Sequence, residues 1–380
     1  MPSAVQLYQY THVPETKEKL DWADRMTLDS WQLTPTNFFA VPAIDLAQYG
    51  TEEGNAALAK TLLEAIRTKG FFYVTNFGIS QDDVDTQFSL GQQFYELPIE
   101  EKLKYQPDLD SGDYNGYRPG GRRVLSGGIK DKTEVWNMAT KDGHITQPLP
   151  ELLEEKKALI ESFAKELHDK VLDPLLHLIA ISLELPPDFF TKVHRWDVHD
   201  ESHLRYMKYS KFSPEELERL SDGLWSLGHT DLGTITLLFR QPVAALQIKD
   251  HETGEWKWAK PLDGSLTVNT CDALSFLTGG YIKSTVHRVS APPKDQQHVD
   301  RLGLLYFARP QNDLVLRTID SPVLKRAGAT QNEFERGGYP VPTMGEFTTL
   351  KQTWQQRKTG AYKEEDGKEI LPGFKGQYHA

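Results

Sequence analysis

The spacing of apolar residues near the start of the chain predicts two helices and a strand. Between residues 56 and 69 apolar side chains recur every three or four positions, which predicts a helix that ends at Gly70. The apolar run 71–74 (FFYV) predicts a buried strand. Ser80 and the acidic residues that follow it predict the N-terminus of a second helix.

Similar periodicity predicts two further helices. Apolar residues recur every four positions from Leu159 to Ile179, which predicts one long helix that starts at Glu151 and is kinked at Pro174. Residues 345–356 predict a shorter helix, which we expect to pack on the outside of the neighbouring β structure.

From His203 to about Pro310 the pattern changes to short apolar runs separated by turn clusters, which predicts β structure. The predicted strands are residues 234–239, 244–248, 266–269, 273–277, 285–289 and 302–307. Six strands at this spacing suit a double-sheet jelly roll or a barrel. We therefore expect a mainly β fold with flanking helices around a double-stranded β-helix (jelly-roll) core.

These patterns divide the chain into five segments. The predicted segments are an N-terminal extension (1–40), an α/β region with a lid loop (41–150), a long helical segment (151–200), a jelly-roll core (201–310) and a C-terminal helical extension (311–380). Within the second segment, residues 108–129 are rich in glycine and aromatic residues. Such a stretch is either a functional lid or a simple connection.

The composition narrows the classes of partner. The 54 acidic and 43 basic residues give a net charge of −11 and a pI of about 5.6, which argues against binding to nucleic acid or to anionic membranes. The single cysteine, Cys271, excludes an internal disulfide and a thiolate cluster. The N-terminal residues lack the apolar stretch of a signal peptide, and no window approaches a membrane span. We expect a cytoplasmic monomer that acts on a small molecule.

Three residues form a candidate metal site. His229 and Asp231 lie two positions apart just before an apolar run, so their side chains would share one face of an extended chain. His287 lies on a later predicted strand. Two imidazoles and one carboxylate make the facial triad of non-haem Fe(II) sites. Arg301, on the last predicted strand, is either a clamp for a carboxylate-bearing cosubstrate or half of a surface salt bridge.

Several segments occur in the order in which one enzyme family carries them. Residues 227–239 (LGHTDLGTITLLF) and 278–289 (TGGYIKSTVHRV) resemble the metal-binding segments of the isopenicillin N synthase-like Fe(II) and 2-oxoglutarate-dependent oxygenases. Further similar segments are 41–45, 70–74, 94–98, 245–248 and 268–274. The resemblance extends over roughly residues 40 to 310.

The resemblance implies a role for each candidate residue. It assigns Fe(II) to His229, Asp231 and His287, the distal carboxylate of 2-oxoglutarate to Arg301, and a supporting contact with that cosubstrate to Tyr209. It implies that 2-oxoglutarate and O2 are converted to succinate and carbon dioxide while the substrate is hydroxylated, desaturated or cyclised, as in secondary metabolism. The iron centre carries the chemistry, and we assign no separate acid or base.

Two departures from the family pattern affect the cosubstrate pocket. Met207 stands where the family has asparagine, and Gly303 replaces the serine whose hydroxyl pairs with the arginine. We favour 2-oxoglutarate because a buried arginine needs an anion, with Tyr209 or a water in place of the serine. The alternatives are a 2-oxoglutarate-independent iron oxidase of the isopenicillin N synthase type and a metal-free binding protein.

The substrate pocket is expected to involve the lid. Tyr117, Arg118 and Arg122 are its candidate residues, and Phe307 is a candidate pocket wall by family analogy. An arginine that faces the iron would indicate an anionic substrate, whereas a mainly aromatic wall would indicate a flat or terpenoid one. Each arginine could instead be solvated, and Phe307 could belong to the core.

Overall fold

A computed structural model describes residues 22–23, 41–198, 200–220, 223–240, 243–356 and 367–376. The strands in these ranges are β1 Trp22–Ala23, β2 Ala43–Asp45, β3 Phe71–Thr75, β4 Gly116–Arg118, β5 Thr133–Lys141, β6 His144–Ile145, β7 His203–Tyr209, β8 Leu224–His229, β9 Ile235–Phe239, β10 Leu246–Lys249, β11 Trp256–Ala259, β12 Ser265–Thr270, β13 His287–Ser290, β14 Arg301–Ala308, β15 Glu369–Leu371 and β16 Phe374–Lys375. The helices are α1 Glu52–Thr68, α2 Gln81–Glu96, α3 Ile99–Leu103, α4 Glu151–Glu154, α5 Lys157–Leu167, α6 Asp173–Ser182, α7 Pro214–Arg219, α8 Asp272–Leu277, α9 Pro322–Ala327, α10 Glu333–Gly337 and α11 Met344–Gln356.

Most of the strands build two facing sheets. The smaller sheet has the order β1-β11-β10-β13-β8, and the larger has the order β2-β3-β12-β9-β14-β7-β5-β4, with β6 beside β5. Phe71 and Tyr73 of the larger sheet pack against Leu246 and Ile248 of the smaller one. The larger sheet therefore extends past the segment 201–310 and recruits strands from residues 43–145.

The other face of the larger sheet is covered by helices. Buried residues of α1, α2, α5 and α6 share one core with inward-facing residues of β3, β9, β12 and β14. The first two helices begin at capping side chains, because Thr51 accepts a hydrogen bond from the backbone N–H of Gly54 and Ser80 accepts one from that of Asp83. Gly70 follows α1 with a φ of +68°, as its predicted C-terminal role requires.

The strand predicted over residues 273–277 is wrong, because this segment is helix α8. A short apolar run fits a buried helical turn as well as a strand, and periodicity alone does not separate the two. The side chain of Asp272 at the helix start binds Ser284 and Lys351, which anchors the helix between two other segments.

The helix predicted from Glu151 is interrupted once and distorted once. Its first turn, α4, is separated by residues 155–156 from a continuous helical run of α5, a π-helical turn at His168–Leu172 and α6, whose first turn holds Pro174, the predicted site of the kink. Proline has no backbone N–H to donate within a helix, and helices are commonly distorted at prolines and at π-helical turns. Leu159 of the predicted stripe is 41% exposed, and the neighbouring Ile160 is buried in its place.

Helix α11 does not simply cover the outside of the β structure, because Gln352 and Gln355 line the cavity between the sheets.

The 108–129 segment forms β4 and a bridge between Val124 and Lys130. Most of the predicted 1–40 extension lies outside the described residues. None of the described helices combines the length and the apolar character that crossing a bilayer would need.

Candidate active site

His229, Asp231 and His287 meet at one end of the smaller sheet. His229 and His287 are a directly opposed pair on the antiparallel strands β8 and β13, so both imidazoles lie on one face. Asp231 follows β8 after one residue, and the chain then passes close to β14 at Gly233, where a Cβ would lie 2.3 Å from the carbonyl oxygen of Ala308. Glycine at this position therefore permits the turn that returns Asp231 to the two histidines.

The three side chains present ligand atoms to a common point. Nε2 of His229 lies 3.8 Å from one carboxylate oxygen of Asp231, and Nε2 of His287 lies 3.7 Å from the other. Ligand atoms about 2.1 Å from one octahedral ion are about 3 Å apart, so sub-ångström adjustments suffice for a shared metal. The residues present thus fit a divalent ion with three coordination positions left open.

Hydrogen bonds fix the orientation of each ligand. Nδ1 of His229 donates to the carbonyl oxygen of Leu227 at 2.8 Å, and Nδ1 of His287 donates to that of Thr285 at 3.1 Å. These bonds direct both Nε2 atoms inward, as is usual for metal-binding imidazoles. The Asp231 carboxylate accepts from Thr236 at 2.8 Å and from Asn269 at 2.9 Å, which are residues of the larger sheet.

The electrostatics suit metal binding. Burial, together with the nearby His287, lowers the pKa of His229 to about 3, so the imidazole is neutral and keeps a lone pair for a metal. Burial acts to raise the pKa of Asp231, but the two histidines and the hydrogen bonds from Asn269 and Thr236 outweigh it and hold that pKa below its usual range. The carboxylate is therefore ionised at neutral pH.

A second group of metal-ligand residue types, His168, Asp169 and Asp173, lies at the π turn. Nε2 of His168 donates to the carbonyl oxygen of His194 at 2.6 Å. The side chains of Asp169 and Asp173 are 48% and 40% exposed, and Asp169 already pairs with Lys165, so this group is an ordinary surface ion cluster.

A cavity of about 1290 Å³, including the part open to solvent, lies between the sheets and reaches the triad. The described residues that line it include Arg118, Arg123, Asn137, Arg205, Tyr209, Arg301, Phe307, Arg309 and Gln355. Arg301 is 5% exposed, and its Nε has no hydrogen-bond partner. Its guanidinium carbon lies 5.2 Å from the ring centre of Tyr209, which is the residue directly opposite on β7.

Comparisons with known proteins identify the family. Residues 41–157 match the family described as non-haem dioxygenase in morphine synthesis N-terminal, and residues 202–310 match the 2OG-Fe(II) oxygenase superfamily. The UPF0676 protein C1494.01 of Schizosaccharomyces pombe is 32% identical over 283 residues, which are 73% of this chain and 84% of that protein. The chain belongs to the 2OG-Fe(II) oxygenase superfamily.

Two other relatives agree with this membership. The 1-aminocyclopropane-1-carboxylate oxidase of Dictyostelium discoideum is 27% identical to this oxygenase, over 73% of this chain and 84% of that one. The crystal structure of a full-length Neurospora crassa protein in complex with alpha-KG superposes with a TM-score of 0.70 and 26% identity, over 82% and 95% of the two chains. The predicted jelly-roll class is thereby confirmed. The chain is an Fe(II)-dependent oxygenase of a superfamily whose cosubstrate is 2-oxoglutarate and whose oxidant is O2.

The candidate substrate residues of the oxygenase are divided between two sides of the larger sheet. Arg118 and Phe307 line the cavity, but Tyr117 and Arg122 are absent from the described residues that do so. The Tyr117 hydroxyl donates to Glu134 in the core beneath the sheet, and Arg122 pairs with Asp110 at 2.8 Å. Tyr117 and Arg118 are neighbours on β4, and neighbours on a strand face opposite ways.

Sequence analysis misses several polar residues of the cavity, among them Arg205, Arg309 and Gln355. Arg205 carried a usable signal, because it lies four positions before Tyr209 and even spacing on one strand places both on the same face. Gln355 carried none, since its position depends on how α11 docks. His203 stacks on Phe307 with 4.8 Å between ring centres.

Proposed function

We propose that the oxygenase couples oxidative decarboxylation of 2-oxoglutarate to the two-electron oxidation of a small molecule, with Arg301 and Tyr209 holding the cosubstrate. The observation that carries this proposal is the buried Arg301, whose Nε lacks any partner, in the cavity that contains the triad. A buried guanidinium needs a compensating anion. The distal carboxylate of 2-oxoglutarate supplies this anion. The 2-oxo acid group at the other end of 2-oxoglutarate would chelate the metal.

The residues of the chain position and enclose the reactants. His229, Asp231 and His287 would hold Fe(II), which together with 2-oxoglutarate supplies the activation of O2. Tyr209 lies against Arg301 and limits the directions from which a carboxylate can approach. The apolar walls, among them Leu238 and Leu305, keep water away from the open coordination positions.

We propose that no side chain of the cavity acts as a separate acid or base. Among the described residues that line the cavity, Asp231 is the only carboxylate, and it would bind the metal. Whether the substrate is hydroxylated, desaturated or cyclised then depends on which of its C–H bonds faces the metal. We propose a role in secondary metabolism, in the cytoplasm and as a monomer.

One observation favours a second candidate, an iron oxidase that takes its electrons from the substrate. Gly303 lies two residues after Arg301 on β14 and offers no hydroxyl beside the guanidinium. The two candidates differ in stoichiometry, because only the first forms one succinate for each product.

The test measures succinate by mass spectrometry after incubation of the protein with Fe(II), O2 and 2-oxoglutarate. We expect slow succinate formation even without substrate, and Arg301→Gln should raise the 2-oxoglutarate concentration required by about thirtyfold or more. Arg195→Gln is the matched control, because Arg195 is an exposed arginine paired with Asp197. Succinate formation with an unchanged 2-oxoglutarate requirement in Arg301→Gln would place the clamp elsewhere. Absence of succinate in the wild type would favour the oxidase.

A further inference from the structure

Arg205 is a cation in the cavity without a carboxylate partner. Within the described part of the chain, no Asp or Glu oxygen lies within salt-bridge distance of its guanidinium. Its Nε donates to the side-chain oxygen of Asn137 at 2.6 Å, and one terminal nitrogen lies 3.5 Å from Nε2 of His203. Its other terminal nitrogen donates to no acceptor among the described residues. Arg205 lines the cavity.

The charge of Arg205 persists at neutral pH. Burial lowers the pKa of its guanidinium only to about 10, and the nearby Asp231 acts in the opposite direction. His203 does not add a second charge, because burial, Arg309 and Arg205 itself hold its pKa well below the usual value.

Most of the other charges around the cavity are balanced. Arg118 lies 3.7 Å from Asp131, and Arg309 lies 3.8 Å from Glu201. With the site loaded, the charges of Fe(II) and Arg301 would equal those of Asp231 and the two carboxylates of 2-oxoglutarate. The positive charges of Arg205 and Arg123 are left over.

Arg205 lies too far along the sheet to share the cosubstrate clamp. It is four residues from Tyr209 on β7, so the two ends of this inner face are about 13 Å apart. Across the sheet, Phe307 lies beside Arg205, with its ring centre 4.3 Å from the guanidinium carbon. The cavity therefore has two separate cationic ends, Arg301 beside Tyr209 and Arg205 beside Phe307.

We propose that the substrate is a small monocarboxylate, that Arg205 binds its carboxylate, and that Phe307 packs against its carbon skeleton. This inference rests on the proposed function, since it leaves the Arg301 end of the cavity to 2-oxoglutarate.

The remaining donors of Arg205 match a carboxylate in number and shape. Because Nε is held by Asn137, the terminal nitrogens remain for the ligand, and two parallel N–H groups fit the two oxygens of a planar carboxylate. The single positive charge of Arg205 is balanced by one carboxylate, whereas the guanidinium of Arg123 donates to the carbonyl oxygen of Gln355. A phosphate monoester would bring close to two negative charges.

The stacked surroundings keep this donor pair in place. His203 stacks on Phe307 with an angle of 14° between the rings, and the Arg205 guanidinium lies against the same phenylalanine. The side chain is therefore held before any ligand arrives, which lowers the entropic cost of binding.

The test uses fluorine NMR on protein loaded with Zn(II) and saturating 2-oxoglutarate, so that the cosubstrate end is occupied. Trifluoroacetate is the monocarboxylate probe, and trifluoroacetamide is its neutral counterpart of similar shape. We expect the trifluoroacetate signal to broaden with wild-type protein and the trifluoroacetamide signal to stay sharp. Arg205→Gln should weaken trifluoroacetate binding about thirtyfold or more.

Two further variants locate the effect. Arg195→Gln removes one remote charge and should leave the broadening as in the wild type. Arg123→Gln removes the other arginine that lines the cavity without a carboxylate partner among the described residues, and it should weaken binding less than Arg205→Gln does. Equal behaviour of the two probes, or broadening that persists in Arg205→Gln, would overturn the proposal.

The binding experiment and the test of the proposed function can fail separately. The NMR signal reports binding and needs neither O2 nor turnover, whereas succinate formation tests the reaction. Trifluoroacetate binding at Arg205 without any succinate from the Fe(II) protein would retain the carboxylate site and reject the reaction.

Discussion

Asp231 connects the two sheets at the metal site. Its backbone continues from β8 of the smaller sheet, and its carboxylate accepts hydrogen bonds from Thr236 on β9 and Asn269 on β12 of the larger sheet. The carboxylate is thereby held in place from both sides. Replacing this residue should affect metal binding more than replacing either of its supports.

Asp231→Asn should weaken Fe(II) binding by more than about a hundredfold, because it removes the anionic ligand and retains the size of the side chain. Asn269→Ala should cost about tenfold, as expected for a residue that only orients a ligand. Equilibrium dialysis with Fe(II) under anaerobic conditions measures both. The interpretation fails if the Asn269 variant loses more affinity than the Asp231 variant.

A substitution at Gly303 is expected to strengthen the binding of 2-oxoglutarate. The residue has the same strand parity as Arg301 and lies opposite Met207, which lines the cavity. Gly303→Ser should place a hydroxyl beside the guanidinium and tighten 2-oxoglutarate binding about tenfold or more, since hydrogen bonds to charged groups are worth about 1.5–3 kcal/mol. Calorimetric titration of the Zn(II) protein measures the affinity. An unchanged or weaker affinity would mean that Tyr209 or a water already fills this role.

At the scale of elements, α11 is tied to the loops that carry the metal ligands. Lys351 on α11 binds the Asp272 carboxylate and the carbonyl oxygen of Thr230, the residue between His229 and Asp231. The same carboxylate accepts from Ser284, three residues before His287. The Lys351 and Asp272 side chains are 4% and 7% exposed, so this ion pair is almost fully desolvated.

Lys351→Met should lower the free energy of unfolding by about 3–5 kcal/mol, because it leaves a buried carboxylate without its cation. Urea denaturation of the metal-free protein measures the loss. Lys325→Met is the control, since Lys325 and Asp320 form a pair that is 62% and 79% exposed and should contribute less than about 1 kcal/mol. Equal losses in the two variants would refute a special role for the buried pair.

An element could be predicted from the sequence when the interactions that determine it are local, and could not when they are distant along the chain. The start of α2 was predictable because its cap, Ser80, is local, whereas the prediction for α1 began at residue 56, four residues after its observed start at Glu52. Helix α8 was not predictable, because Lys351 and Ser284, which hold Asp272, are distant in sequence. The same holds for α11, whose inward face depends on long-range contacts.

At the scale of the molecule, buried neutral histidines make the fold sensitive to acid. Burial lowers the pKa of His194 to about 4 and that of His229 to about 3, and it lowers that of His203 as well. These groups bind more protons in the unfolded chain than in the folded one below about pH 6.5, so folding stability falls as the pH decreases. Asp200 acts the other way, because burial raises its pKa to about 6.

The urea midpoint of the metal-free protein should therefore fall between pH 6.5 and pH 4. Each fully buried histidine contributes a loss on the order of 3 kcal/mol at the acidic end. Bound Zn(II) should raise the midpoint but should not remove the loss that arises from His229, because a metal-bound imidazole takes up no proton in the folded state while the unfolded chain still does. A midpoint that is constant or rises over this range would contradict the assignment of neutral buried histidines.

The sequence was informative about the metal site and less so about the substrate end of the cavity. His229, Asp231 and His287 could be proposed because few residue types bind iron and the spacing of two is meaningful on an extended chain. Tyr117 and Arg122 could not be placed, because the orientation of a glycine-rich segment depends on backbone angles that its residues leave open. Arg205 could be placed only once the limits of β7 were known.

Anaerobic titration of the Fe(II) protein with 2-oxoglutarate tests most directly whether the triad and Arg301 form one site. A visible metal-to-ligand charge-transfer band should appear and saturate in the wild type. It should be absent in Asp231→Asn and require about thirtyfold more 2-oxoglutarate in Arg301→Gln, with Arg195→Gln resembling the wild type. Fe(II) binding without any such band in the wild type would contradict the proposed cosubstrate site.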